Sequence, residues 1–174
     1  MTKQRTICTR TDINGALATL HPALRERAAE HVTAIEQDGF AVARIIAWES
    51  LEERARLWAL GRKRLNGYWE ITDQSQIVTY SQLGWHPFGL GFDLDITMGS
   101  RHLQTQAAWK RIGQLGVQCG LQWRGHSRSR WVSARHFQLV PTGLRPSRVL
   151  QLYRSIGSLE GLWDELSRRH EELR

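Results

Sequence analysis

Three residues near the middle of the chain have the types and the spacing of metal ligands. His86 and Asp93 are separated by six residues in GWHPFGLGFDLDI, and His136 follows much later in ARHFQLV. Catalytic zinc usually takes three protein ligands drawn from His and Asp or Glu, and it keeps a fourth position open for water. Taken alone, His86 is more typical of a loop histidine, and Asp93 of a turn or strand-edge acid. Taken together, the three residues fit a site for Zn²⁺, but their spacing alone does not decide between these two interpretations.

The elements that must position these residues can be read from apolar periodicity and helix caps. Pro22 suits a first helical position, and Ser50 with Glu53 forms a capping box. Such patterns predict helices at 22–37, at SLEERARLWALG and at QTQAAWKRIGQLGVQCG, and two further helices in the tail 146–174. They predict strands at FAVARIIAW, QIVTY, FDLDI and ARHFQLV. Helices and short strands without a regular alternation favour an α+β fold. We expect one domain over 1–174, in which 1–19 is an N-terminal extension.

The composition favours a soluble globular protein. Its 174 residues are 41% hydrophobic, which is enough to bury a core. Cys8 and Cys119 are too few and too far apart for a disulfide framework. The first residues lack the apolar core of a secretory signal, and no apolar run reaches transmembrane length. We therefore expect synthesis in the cytoplasm without a signal peptide, and action elsewhere only after release or delivery.

The charge distribution predicts an anionic partner. The net charge is +7, and the chain from Ile96 to Leu159 holds ten Lys and Arg residues without a single Asp or Glu. Such a region attracts nucleic acid, a membrane surface or an acidic cell-wall polymer, but it is equally typical of a solvated basic face. Arginine alternates with tryptophan in WRGHSRSRW, which fits a phosphate track with stacking platforms. The same loop also fits an enzyme that docks to an anionic cell wall.

From Leu20 onward the chain resembles the VanY-like zinc peptidases, the D-alanyl-D-alanine carboxypeptidases and L-alanyl-D-glutamate endopeptidases of bacteria and phages. The family pattern of a His, six residues and an Asp, then a distant His followed by an aromatic, matches His86, Asp93 and His136–Phe137. Three longer segments resemble the family's opening helix, second helix and W-x-x-I-x-x-LG…GLxWGG segment: LHPALRERAAEHVTAIEQDGF, ESLEERARLWALGR and AAWKRIGQLGVQCGLQWRG. The resemblance implies a small antiparallel sheet flanked by helices, of the hedgehog/DD-peptidase type, with one zinc and the peptidoglycan stem peptide as substrate.

Residues that would carry the chemistry depart from this family pattern. The family's catalytic Asp or Glu, three residues before the last His, corresponds to Ser133, and a serine cannot take a proton from water at neutral pH. The family's arginine, which steadies the scissile carbonyl, aligns with Glu49. Gly84 and Gly91 stand where the family has Ser and Ala. Glu49 is the candidate for a relocated base, although taken alone it is more typical of an acid in a helix's first turn.

Three functions follow as hypotheses. The first is a zinc peptidase, an endolysin or a delivered effector, that hydrolyses the stem peptide of peptidoglycan with a relocated base. The second is a catalytically impaired relative that keeps zinc and binds the cell wall, because losing a general base typically costs about 10²–10⁴ in rate. The third, ranked lowest, is nucleic-acid binding by the basic stretch. Trp85 and His126 are the candidate substrate-binding residues, whereas His21, His31 and His170 are predicted to lie at the surface.

Overall fold

Six α-helices surround a small antiparallel sheet in the residues that the computed structural model describes, 13–99, 101–103, 105–125 and 133–174. The predicted α+β class is therefore confirmed. The helices are α1 (Ile13–Ala18), α2 (Pro22–Gln37), α3 (Leu51–Ala59), α4 (Gln106–Gln118), α5 (Pro146–Ile156) and α6 (Leu159–Arg169). The strands are β1 (Ala41–Ile46), β2 (Arg62–Leu65), β3 (Tyr68–Ile71), β4 (Gly91–Met98), β5 (Arg101–His102), β6 (Gln122–Trp123) and β7 (His136–Gln138).

Strand β4 is the centre of the sheet. It pairs antiparallel with β1 on one side and with β7 on the other; β6 follows β7, and the short β5 pairs with the end of β4. Side chains of a strand alternate between its two faces. Phe92, Leu94 and Ile96 are accordingly buried in the core, while Asp93 faces the opposite side and is the register partner of His136. One face of the sheet thus builds the core, and the other is available for a site.

Helices α2 and α4 pack against the core. Pro22 begins α2 as predicted, and its apolar stripe at helical spacing includes the fully buried Leu24, Ala28 and Ile35. Part of the segment 1–19 also joins this core, since Leu17 of α1 is buried. None of the described helices has the length and apolar character that a membrane span requires.

Two glycines let α4 approach the sheet closely. A Cβ at Gly113 would overlap the indole ring of Trp123, and a Cβ at Gly116 would lie 2.7 Å from the ring of Phe137. Real side chains do not tolerate such distances, so the helix and the sheet would have to separate. The close contact depends on the absence of side chains at these two positions.

A hairpin of β2 and β3 forms a separate two-stranded sheet that the sequence analysis did not predict. Asn66 and Gly67 join its strands with φ of 50° and 85°, the left-handed conformation that type I′ turns require. The neighbouring prediction of a strand at QIVTY was wrong, because residues 76–80 form no strand in the structure. These residues run along the rim of a cleft, and Val78 is largely exposed.

Two histidines that were predicted at the surface are fully buried. His21 caps α2 by accepting from the backbone N–H of Ala23, and its other ring nitrogen lies 3.2 Å from Ser167 Oγ. His31 donates Nε2–H to the carbonyl of Ile112 at 2.9 Å, between α2 and α4. Backbone groups and a hydroxyl bind both ring nitrogens of His21 and Nε2 of His31, whereas His31 Nδ1 has no hydrogen-bond partner among the described residues. Helical spacing alone did not reveal these partners.

Candidate metal centre

The three predicted ligands converge on the face of the sheet that is opposite the core. His86 begins a 3₁₀ turn, Asp93 lies in β4, and His136 is the first residue of β7. Asp93 Oδ1 lies 2.8 Å from His136 Nδ1 and 3.7 Å from His86 Nε2. Each residue offers one ligand atom, and these atoms all lie within 4.8 Å of one another. The three side chains can therefore hold one metal ion.

Local sequence fixes the approach of the first ligand. The turn at His86 closes at Gly89, whose φ of 66° is the left-handed conformation that favours glycine. Gly91 then begins β4 in a narrow gap, since a Cβ there would lie 3.0 Å from the His136 ring and 3.1 Å from Trp85 Cβ. A larger side chain at position 91 would press on a candidate ligand.

The carbonyl of Ala47 sets the orientation of the His86 ring. His86 donates Nδ1–H to this oxygen at 2.7 Å, so that the lone pair on Nε2 faces Asp93. Backbone carbonyls often orient metal-binding histidines in this way. Burial favours the neutral ring, but the hydrogen bond and charge of Asp93, with a further contribution from the charge of Glu49, outweigh it and raise the pKa of His86.

A chain of amides sets the orientation of the His136 ring. The carbonyl of Val140 can only accept, so Gln122 donates to it at 2.6 Å and accepts from Gln138 at 3.0 Å. The remaining oxygen of Gln138 accepts Nε2–H of His136 at 3.1 Å. The ring therefore turns its other nitrogen, Nδ1, towards Asp93. The sequence pattern assigned no role to Gln122 or Gln138, because their roles depend on strand register.

The contact between His136 and Asp93 favours a cation. When Nε2–H of a neutral His136 is donated to Gln138, Nδ1 and the carboxylate oxygen of Asp93 are both acceptors, only 2.8 Å apart. A proton or a metal ion must lie between two such acceptors. Burial by itself would raise the pKa of Asp93, but hydrogen bonds from His136 and His86 hold it well below its usual range. The charged carboxylate and two oriented imidazoles are a donor set that fits a divalent metal.

A cleft of about 620 Å³ opens over these ligands. Three further residues that were predicted to act in the site line it: Glu49, Trp85 and Ser133. Ser133 accepts the backbone N–H of Arg135 and presents no carboxylate. The remaining candidate, His126, lies outside the residues that the structure describes.

Arg54 is a residue of the cleft that the sequence analysis missed. Its guanidinium is buried, with Nε 2.5 Å from Glu49 Oε1 and Nη1 donating to Thr79 Oγ1 at 3.1 Å. It fills the space above Gly84, where a Cβ would overlap the guanidinium. The candidate base is thus held in an ion pair. The sequence shows that Arg54 follows Glu49 by five positions at the start of a helix. It does not show that Gly84, 30 residues after Arg54, leaves the space in which the two side chains pair.

Part of the basic stretch is neutralised by acids from elsewhere in the chain. Arg135 forms an ion pair with the buried Asp95, which also binds Arg44 at 2.5 Å. Arg111 of α4 binds Asp38 at 2.5 Å. The formal count of ten positive charges therefore overstates the unpaired charge that this stretch offers to an anionic partner.

Comparison with known proteins adds no relative to this description. No protein-family model matches the chain, and a search of curated proteins finds no significant match. The geometry of the cleft and the pattern of residues in the sequence therefore carry the functional argument.

Proposed function

We propose that this protein is a zinc-dependent peptidase that hydrolyses bonds in the stem peptide of peptidoglycan. The observation that carries the proposal is the group of His86, Asp93 and His136 at the floor of an open cleft. Two imidazoles and one carboxylate are a ligand set of catalytic zinc, which keeps its fourth position open for water. The choice of substrate rests on the resemblance of the residue pattern to VanY-like peptidases.

The residues of the cleft have distinct roles in this proposal. When bound, zinc supplies Lewis acidity for the peptide carbonyl and for water. Glu49 is the one carboxylate besides Asp93 among the described residues that line the cleft, and it accepts the proton of the attacking water. Arg54 orients the Glu49 carboxylate through their ion pair. Trp85 offers apolar surface to the peptide beside the first ligand.

A second candidate function is a zinc-containing module that binds the cell wall without cleaving it. Two observations favour it. Ser133, which stands where the family pattern has its catalytic acid, lines the cleft, and the Glu49 carboxylate is already paired with Arg54. Nucleic-acid binding ranks below both functions, because Arg111 and Arg135 of the basic stretch are paired with acids of the protein.

The first test pairs metal content with turnover. We expect about one zinc per chain in the purified wild type and a loss of zinc in His86→Ala, because the variant removes an oriented ligand. His102→Ala is the matched control, since His102 is exposed and lies outside the ligand group. Zinc is measured by mass spectrometry, and the release of new amino groups is measured on purified peptidoglycan.

The outcomes separate the two candidate functions. Zinc together with amine release, both lost in His86→Ala and kept in His102→Ala, supports the peptidase. Zinc without amine release from walls of several chemotypes would replace it with the binding module. A wild-type protein that binds no zinc would contradict both.

A further inference from the structure

Arg124 lies beside the candidate metal ligands. At the end of β6, Trp123 is the register partner of Phe137. One step further along this antiparallel register, Arg124 stands opposite His136, whose other neighbour in the sheet is Asp93. Adjacent strands are about 4.8 Å apart, so the backbone of Arg124 is one strand spacing from that of a ligand.

The side chain of Arg124 belongs to the cleft face of the sheet. Trp123 and Phe137 are buried in the core, whereas the neighbouring Gln122 and Gln138 bond to each other on the opposite face. Alternation along a strand places Arg124 on the same face as Gln122. Arg124 is exposed and lines the cleft, in agreement with this placement.

The positive charge of Arg124 has no carboxylate partner in the part of the chain that the structure describes. Two other arginines that line the cleft are paired, Arg54 with Glu49 and Arg135 with Asp95. Among the described residues, none forms a hydrogen bond or an ion pair with Arg124. The adjoining residues 126–132 contain no Asp or Glu. Within the described part of the chain, Arg124 is thus an arginine of the cleft that no acid neutralises.

We propose that Arg124 binds a carboxylate of the peptide substrate next to the scissile bond, and so selects peptides that end in a free carboxyl group. The planar guanidinium matches a carboxylate with two parallel hydrogen bonds. One residue of a peptide spans about 3.8 Å between successive Cα atoms, which is close to the spacing between adjacent strands. When the scissile carbonyl lies at the candidate metal ligands, the terminal carboxylate one residue further on is therefore within reach of the Arg124 side chain. The inference rests on the proposed peptidase function. It narrows the substrate class of that function to peptides with a free C-terminal carboxyl group.

The test compares two peptides that differ only in the charge at one end. An N-acetylated peptide ending in D-alanyl-D-alanine and its C-terminal amide are titrated calorimetrically into the zinc-loaded chain and, to remove turnover, into the chelator-treated chain. We expect the wild type to bind the acid about 10-fold or more tightly than the amide, and Arg124→Gln to bind both peptides equally. The matched control is Arg154→Gln, which removes one exposed arginine of α5 that does not line the cleft.

Each outcome is decisive for Arg124. A preference for the acid that is lost in Arg124→Gln and kept in Arg154→Gln supports the assignment. Equal binding of the two peptides by the wild type, no measurable binding, or a preference that survives in Arg124→Gln would overturn it. A wild type that takes up no zinc and yet prefers the acid through Arg124 would refute the peptidase while leaving carboxylate recognition in place.

Discussion

At the scale of single residues, Glu49, Arg54 and Gly84 depend on one another in the cleft. Arg54 pairs with Glu49 and occupies the space that Gly84 leaves open. A side chain at position 84 would displace the guanidinium, and loss of either charge would leave its partner unpaired in a largely buried place. Removing one partner of a buried ion pair typically costs about 3–5 kcal/mol. The three residues are therefore best understood as a single unit.

Replacement of Glu49 tests the proposed base. Glu49→Gln keeps the shape of the side chain but cannot accept a proton from water, so we expect amine release to fall about 10²–10⁴-fold with zinc content unchanged. Rates on peptidoglycan and zinc per chain are measured together with the urea midpoint, because Arg54 loses its counter-charge. Glu53→Gln is the control, since Glu53 pairs with Arg56 on the exposed side of α3. An undiminished rate in Glu49→Gln would rule out this base.

Spacing along the chain predicted the residues of the candidate metal group but not their supports. His86, Asp93 and His136 could be chosen from residue type and order. The amide chain through Gln138 depends on the register between β6 and β7, and the place of Arg54 depends on a space above another loop. Such supports arise from tertiary packing, which a linear pattern does not encode.

At the scale of elements, the contact between α4 and the sheet depends on glycine. In an exposed helix, replacing Gly by Ala usually stabilises by up to about 1 kcal/mol. We expect the opposite for Gly113→Ala, a loss of about 1–3 kcal/mol from overpacking, because the new methyl group meets the ring of Trp123. Urea denaturation measures both effects.

A matched substitution in α1 separates packing from helix propensity. Gly15 has open space where a Cβ would lie, so Gly15→Ala should gain stability through propensity alone. If Gly113→Ala proved as stable as Gly15→Ala, the close approach of α4 to β6 would be wrong.

Elements with strong local signals could be predicted from the sequence. Ser50 caps helix α3, and its side chain accepts the N–H of Glu53 as the capping pattern requires. The hairpin of β2 and β3 has an equally specific signal in Asn66–Gly67, although the sequence analysis did not predict it and instead expected a strand at QIVTY, residues 76–80. The two-residue strands β5 and β6 have no periodicity to detect, because long-range pairing alone defines them.

At the scale of the whole molecule, buried histidines couple stability to pH. Burial, partly offset by the hydrogen bond to Ile112, lowers the pKa of His31 to about 4 from its usual 6.5. As pH falls from about 6.5 to about 4, the unfolded chain takes up a proton that the folded chain does not, so stability decreases. Burial likewise lowers the pKa of His21, so that protonation at low pH also destabilises the fold there. The raised pKa of His86 has the opposite effect, because its protonation as pH falls stabilises the folded protein.

The contribution of His31 can be isolated by difference. We expect the free energy of unfolding of the wild type to fall between pH 7.5 and pH 4.5. The shifted pKa of His31 can contribute at most roughly 3 kcal/mol to this fall over its full titration. His31→Gln keeps a donor for the Ile112 carbonyl and removes the titration, so its urea midpoint should depend less on pH. The same substitution at His170, at the end of α6, serves as control. Parallel pH profiles for wild type and His31→Gln would contradict the assignment.

The alternation of faces in the sheet has a consequence for which positions of the cleft can change independently of the core. Asp93 follows Phe92 and His136 precedes Phe137, and the two buried rings stack 5.7 Å apart. A one-residue slip of either strand would turn its ligand into the core and its phenyl ring into the cleft. The positions of these two candidate ligands are therefore tied to the packing of the core. Glu49 lies outside the strands and is free of this constraint, so a substitution there can change the chemistry at the rim of the cleft without a change in strand register.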